Sequence, residues 1–62
     1  MERYYISFEG RERALEISKE NYDELLFALM LDNENEIVTA YGKKENRIYT
    51  MTIKRINWLG KE

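Results

Sequence analysis

Ser18-Lys19-Glu20-Asn21-Tyr22-Asp23-Glu24-Leu25-Leu26-Phe27-Ala28-Leu29-Met30-Leu31 is the stretch on which the fold turns. Tyr22, Leu25, Leu26, Leu29 and Met30 recur at i, i+3, i+4, i+7 and i+8, the period of an amphipathic helix. Ser18 has the side chain of a helix N-cap, an acceptor for one of the free amides of the first turn. Ile17 before it and Tyr22 after it have the spacing of a hydrophobic staple. Glu20, Asp23 and Glu24 complement the positive end of the helix dipole. Asp32-Asn33-Glu34-Asn35 stops the helix near Leu31, with Asn33 or Asn35 suited to a left-handed cap.

Upstream, the period changes from 3.6 to 2. In Arg3–Phe8, Tyr4, Ile6 and Phe8 share one face of a strand, and Arg3, Tyr5 and Ser7 the other. Glu9-Gly10 supplies a turn, because glycine accepts the positive φ of a tight hairpin. Arg11–Ile17 then returns as a second strand, with Arg13, Leu15 and Ile17 on one face and Glu12, Ala14 and Glu16 on the other. Downstream, Glu36–Tyr41 reads as a strand by its β-branched and aromatic content. Gly42–Asn46 is a charged turn. From Arg47 the chain is extended again, with Tyr49, Met51 and Ile53 opposite Ile48, Thr50 and Thr52. Ile53, Ile56, Trp58 and Leu59 do not keep a period of two, so a bulge or break is expected between Thr52 and Asn57. The order ββαββ predicts an α+β fold, one helix packed on a small antiparallel sheet. Residues 1–62 make a single domain.

A chain of 62 residues buries only about 60% of the surface its unfolded form exposes, which leaves a thin stability margin. Small scaffolds add disulfides, a metal or a second copy. Without Cys or His, both disulfides and the usual ligands of structural zinc are missing, so self-association is the support left open and a homodimer is among the expected states. Met1-Glu2-Arg3 runs straight into the alternating segment, so no leader is expected. The longest apolar run, Leu25–Leu31, is far short of the ~20 residues that span a bilayer. No membrane contact is expected, and the location expected is cytoplasmic.

Little in this chain suggests catalysis. A nucleophile would have to be Ser7, Ser18 or a Thr, Tyr or Lys activated by a carboxylate or lysine, and Ser18 is better explained as a cap. Gly10, Gly42 and Gly60 are scattered and form no phosphate-binding loop. Asp32, Glu34 and Glu36 alternate like ligands of a hard cation, but the sixth-position glycine and distal glutamate of a calcium loop are missing; they read as a solvated helix terminator. No catalytic residue, metal site or cofactor is expected, and the chain is not expected to be an enzyme.

Two surfaces remain as candidates. Phe27 and Leu31 lie about 140° and 180° from Tyr22 around the helix, at ~100° per residue, and extend the apolar stripe toward solvent. With Tyr5 on the outer face of the first strand, they are the expected protein-binding residues. Open strand edges offer a further route for pairing or sheet stacking, with Tyr5 and Val38 facing outward. The other surface is basic. Residues 1–36 carry four Lys/Arg against ten Asp/Glu, and residues 37–62 six against two. Lys43, Lys44, Arg47, Lys54 and Arg55, with Tyr41, Tyr49 and Trp58, combine phosphate-binding charge with stacking rings. This supports an alternative, a nucleic-acid-binding regulator, although basic residues on strands also protect edges.

In Tyr4-Tyr5-Ile6-Ser7-Phe8, Ser18-Lys19-Glu20-Asn21-Tyr22-Asp23 and Ile53-Lys54-Arg55-Ile56-Asn57-Trp58, the chain resembles the short accessory proteins of phages and mobile elements of low-GC Gram-positive bacteria. The resemblance is one of composition, rich in Lys, Glu, Asn, Ile and Tyr and lacking His, Cys, Pro and Gln. It implies a non-catalytic protein-interaction module, an inhibitor that binds and masks a host protein. It transfers no site residue.

Overall fold

The computed structural model describes residues 2–11 and 13–62. Strand β1 (Tyr4–Phe8) is followed by β2 (Leu15–Ile17), helix α1 (Lys19–Met30), β3 (Ile37–Tyr41) and β4 (Ile48–Thr52). A 3-10 turn (Ile53–Arg55) then leads into β5 (Ile56–Lys61). The fold is α+β, with one helix packed on antiparallel strands. The expected break after Thr52 is the 3-10 turn, and the residues beyond it form a fifth strand that pairs with β1. The strands divide into a three-stranded sheet, ordered β2-β1-β5, and the hairpin β3-β4. A backbone bond from Lys43 N–H to the Glu16 carbonyl, 2.8 Å, ties the hairpin to β2.

Side-chain alternation places the core where the period of two requires. Ile6 and Phe8 of β1, Ile17 of β2, Val38 and Ala40 of β3 and Ile53 are buried together with Leu25 and Ala28 of α1. Tyr4, Leu15, Tyr22, Tyr49, Met51, Ile56 and Leu59 pack around them. Each fully buried Ile or Leu contributes about 1.5–3 kcal/mol. Val38 therefore faces inward, and its expected outward position is corrected: in β3 the outward set is Ile37, Thr39 and Tyr41.

The second strand is shorter than expected. Pairing with β1 covers only Ile17, Glu16 and Leu15, opposite Tyr4, Tyr5 and Ile6. The register of β1 shifts at Ser7/Phe8, where Phe8 pairs with Ile56 of β5. On its β2 side β1 is paired only as far as Ile6, while on its opposite edge the pairing with β5 continues to Phe8. Arg11 N–H donates to the Phe8 carbonyl at 3.1 Å with Gly10 at φ 85°, the pattern of a type II turn. Arg13 and Ala14 are exposed outside the strand, and the expected position of Glu12 lies outside the described residues.

The helix begins as expected, with Ser18 Oγ accepting from Asn21 N–H at 3.1 Å. Its buried arc is rotated from the expected stripe. Asn21, Leu25 and Ala28 are buried, while Leu26, Leu29 and Met30 are exposed. The cause is Asn21, which is only 4% exposed. Its Nδ2 donates to the Thr39 carbonyl at 3.1 Å and its Oδ1 accepts from Tyr41 N–H at 2.6 Å. Those are the two bonds a parallel neighbouring strand would make to β3, so the amide side chain closes that edge and turns the helix toward it. At the other end Leu31 caps the helix, and Asp32, not Asn33 or Asn35, takes the left-handed conformation at φ 52°.

Candidate functional site

The outer surface of β3–β4 follows from the register. Tyr41 pairs with Ile48, Thr39 with Thr50 and Ile37 with Thr52. Their side chains share the face opposite the core, with the Thr39 and Thr50 hydroxyls 3.4 Å apart. In a chain that is 35% charged, this six-residue face carries no charge. Ile37 is 68% exposed, Ile48 66% and Tyr41 50%, so the apolar side chains of this face stand in solvent.

This face continues across the seam between β3 and α1. A groove of about 440 Å³ runs there, lined by Phe27 and Glu24 from the helix and by Glu36, Ile37, Thr39 and Tyr41 from the strand side, with Leu25, Ala28 and Val38 at its base. Phe27 stands 64% exposed beside it. Leu31 is exposed one helical turn further on. Glu24 and Glu36 are the charged residues of the groove, both acidic. Glu36 Oε2 is buried and makes no hydrogen bond among the described residues.

Of the expected protein-binding residues, Phe27 lines this groove, Leu31 is exposed one turn beyond it, and Tyr5 lies on the other sheet. Tyr5 is half-buried on the outer face of the three-stranded sheet, opposite Gly60 of β5 and Glu16 of β2. Trp58 lies on that same face, its ring covering Gly60 so closely that a Cβ there would collide with it. The residues of this surface that the sequence does not single out are Ile37 and Ile48, and Tyr41, expected beside the basic residues, joins them here. Their signal was available: Ile37-Val38 and Ile48-Tyr49 put an apolar side chain on both faces of a strand, and only one face of a two-layer domain meets the core.

The basic residues do not converge. Lys43, Lys44 and Arg47 lie at the turn between β3 and β4, where Lys43 and Lys44 both approach the Glu16 carboxylate, at 3.9 and 4.0 Å. Lys54 and Arg55 sit in the 3-10 turn at the opposite end of β4, roughly 20 Å away at ~3.3 Å per strand residue. Arg11 stacks over the Tyr49 ring, 4.8 Å from its centroid, and Tyr49 packs inward against Phe8. Among the described residues no group of three Asp or Glu side chains converges on an ion-sized site, and Asp32 and Glu34 are exposed while Glu36 turns into the seam. No helix among the described residues is long and apolar enough to cross a membrane. No protein-family model, curated protein or solved structure matches the chain.

Proposed function

We propose that this chain is a non-catalytic protein-interaction module whose docking surface is the seam between α1 and β3. The observation that carries this reading is the contiguous exposure of Phe27, Ile37 and Tyr41 around a groove whose charges are acidic. The occupant is a protein segment that places one bulky apolar side chain in the groove and a Lys or Arg beside Glu24 and Glu36. The apolar anchor supplies affinity through desolvation. The cation supplies orientation through the two acidic side chains of the groove, Glu24 and Glu36. Such a module acts by occupying its partner's surface, the mode expected of a masking inhibitor.

The test is a displayed random-peptide library selected on the immobilised protein, with selection against the Phe27→Asp variant. Phe27 is exposed, so the variant keeps its fold, as circular dichroism will verify. Enrichment of peptides pairing an aromatic or aliphatic residue with a neighbouring Lys or Arg supports the proposal. Enrichment of acidic peptides, or of peptides that bind the variant equally, refutes it and points to the basic residues instead.

A further inference from the structure

The four strand edges of this fold are treated unequally. Gly42 N–H bonds the Arg47 carbonyl at one end of the β3–β4 ladder, and Ile53 N–H bonds the Glu36 carbonyl at the other. Antiparallel hydrogen-bonded pairs recur every second residue. Residues 49 and 51 of β4 therefore turn their backbone groups toward β3, and residues 48, 50 and 52 turn theirs away. The same alternation sends Thr39 and Tyr41 outward on β3, where Asn21 meets them. On β2, Glu16 is the outward residue, and its carbonyl is taken by Lys43 N–H. On β5 the outward residues are Asn57, Leu59 and Lys61, so that edge carries a lysine, a common guard against strand addition. On β4 the outward residues are Ile48, Thr50 and Thr52. Their amides make no backbone bond among the described residues beyond the hairpin. The strand has no charge, proline or bulge, and three of its five residues are β-branched.

We infer that β4 pairs antiparallel with β4 of a second copy, about a two-fold axis through Thr50. The occupant follows from the edge itself. Each hydrogen-bonded pair must join outward residues, and the register that joins the most sets Ile48 against Thr52 of the second copy and Thr50 against its own counterpart. Every such pair exchanges two hydrogen bonds. A two-fold axis sets each residue near its own kind, which penalises any charged edge; β4 meets itself without a charge. Assembly also closes. The new sheet runs β3-β4-β4-β3, and both its outer edges are already held by Asn21, so no third copy adds. Because both hairpins turn the same face outward, the uncharged surface of Ile37, Tyr41 and Ile48 becomes one continuous face with an α1–β3 seam at each side. This goes beyond the seam proposal, which concerns the opposite edge of β3, and either can fail without the other.

Sedimentation of the full chain between about 10 µM and about 1 mM, the range of weak association, tests the inference. The wild type should shift from monomer toward dimer. Thr50→Lys and Thr50→Glu each place like charges across the axis and should weaken association by roughly 100-fold or more. Mixed one to one, they should dimerise again. Thr50 is exposed, and Ile48→Lys, also at an exposed position, gives a second disrupting variant should either Thr50 variant fail to fold. Amide exchange adds a residue-level reading: residues 48, 50 and 52 should gain protection with concentration. A wild type that stays monomeric overturns the inference, as does a dimer that survives both Thr50 substitutions or a charge pair that fails to restore it. Phe27→Asp should leave the dimer intact; a dimer lost in that variant alone would place self-association at the seam.

Discussion

Replacing Asn21 by alanine should cost this domain a large share of its stability, although the change improves helix propensity. Two hydrogen bonds are lost, those to the Thr39 carbonyl and the Tyr41 amide. A backbone group left unmet costs about 1–3 kcal/mol when buried. Thr39 is half-buried and Tyr41 exposed, so water reaches part of this edge and the lower end of that range applies, about 2 kcal/mol for the two together. The space left by the amide adds roughly 1 kcal/mol, and alanine returns about 0.6 kcal/mol as a better helix former. The net is about 2–3 kcal/mol, against a total of roughly 3–9 kcal/mol for a chain of this length. The thermal midpoint should fall by about 10–20 °C. Urea titration followed by circular dichroism measures the loss, and amide exchange at Tyr41 locates it. Asn21→Asp gives a sharper contrast, since it keeps the acceptor for Tyr41 N–H but turns a carboxylate oxygen on the Thr39 carbonyl. A stability change under about 0.5 kcal/mol for Asn21→Ala, or an unaltered Tyr41 exchange rate, would refute the reasoning.

Other perturbations separate the observed helix orientation from the one its apolar pattern suggests. Leu25→Ala should lose about 2–5 kcal/mol, whereas Met30→Ala, at an exposed position, should stay within about 0.5 kcal/mol; equal losses in urea titration would contradict the packing described. Gly10→Ala places a Cβ at φ 85° in open space, so backbone strain alone should destabilise it by about 1 kcal/mol. The Tyr4 hydroxyl donates to Glu2 at 2.8 Å. That bond, then desolvation and then the nearby negative charge, raise its pKa above 10.0. Because the folded value is the higher one, this contribution is complete below the unfolded pKa and is lost as pH rises through the folded one. Denaturation midpoints between pH about 9 and about 11.5 should therefore fall more steeply for the wild type than for Tyr4→Phe; parallel slopes would remove Tyr4 as the cause.

Local signals in the sequence were legible where local chemistry decides the outcome. Ser18 caps the helix, Gly10 makes its turn, and the alternation of Tyr4, Ile6 and Phe8 and of Tyr49, Met51 and Ile53 places the core. The signals failed where a distant partner decides. Nothing near Phe8 in sequence announces that pairing with β2 stops at Ile6 or that the opposite edge runs on to Ile56 of β5. Asn21 is a polar residue outside the apolar stripe, yet it is buried because β3 offers it a donor and an acceptor at the right spacing. That pairing rotates the helix, leaves Met30 in water and brings Phe27 to the seam. The candidate site was half visible for the same reason: the helix supplied Phe27 and Leu31, but Ile37, Tyr41 and Ile48 gained meaning only once the register of β3 and β4 set them on one face.

The most direct test of the docking reading is the affinity of the tightest library-selected peptide for the wild type, Phe27→Leu and Phe27→Asp. An anchor contact in a desolvated groove is worth 2 kcal/mol or more, roughly 30-fold in Kd. Phe27→Asp should lose at least that much, even though its added negative charge favours a basic peptide, while Phe27→Leu should keep most of the affinity. Equal binding by all three proteins would contradict the account.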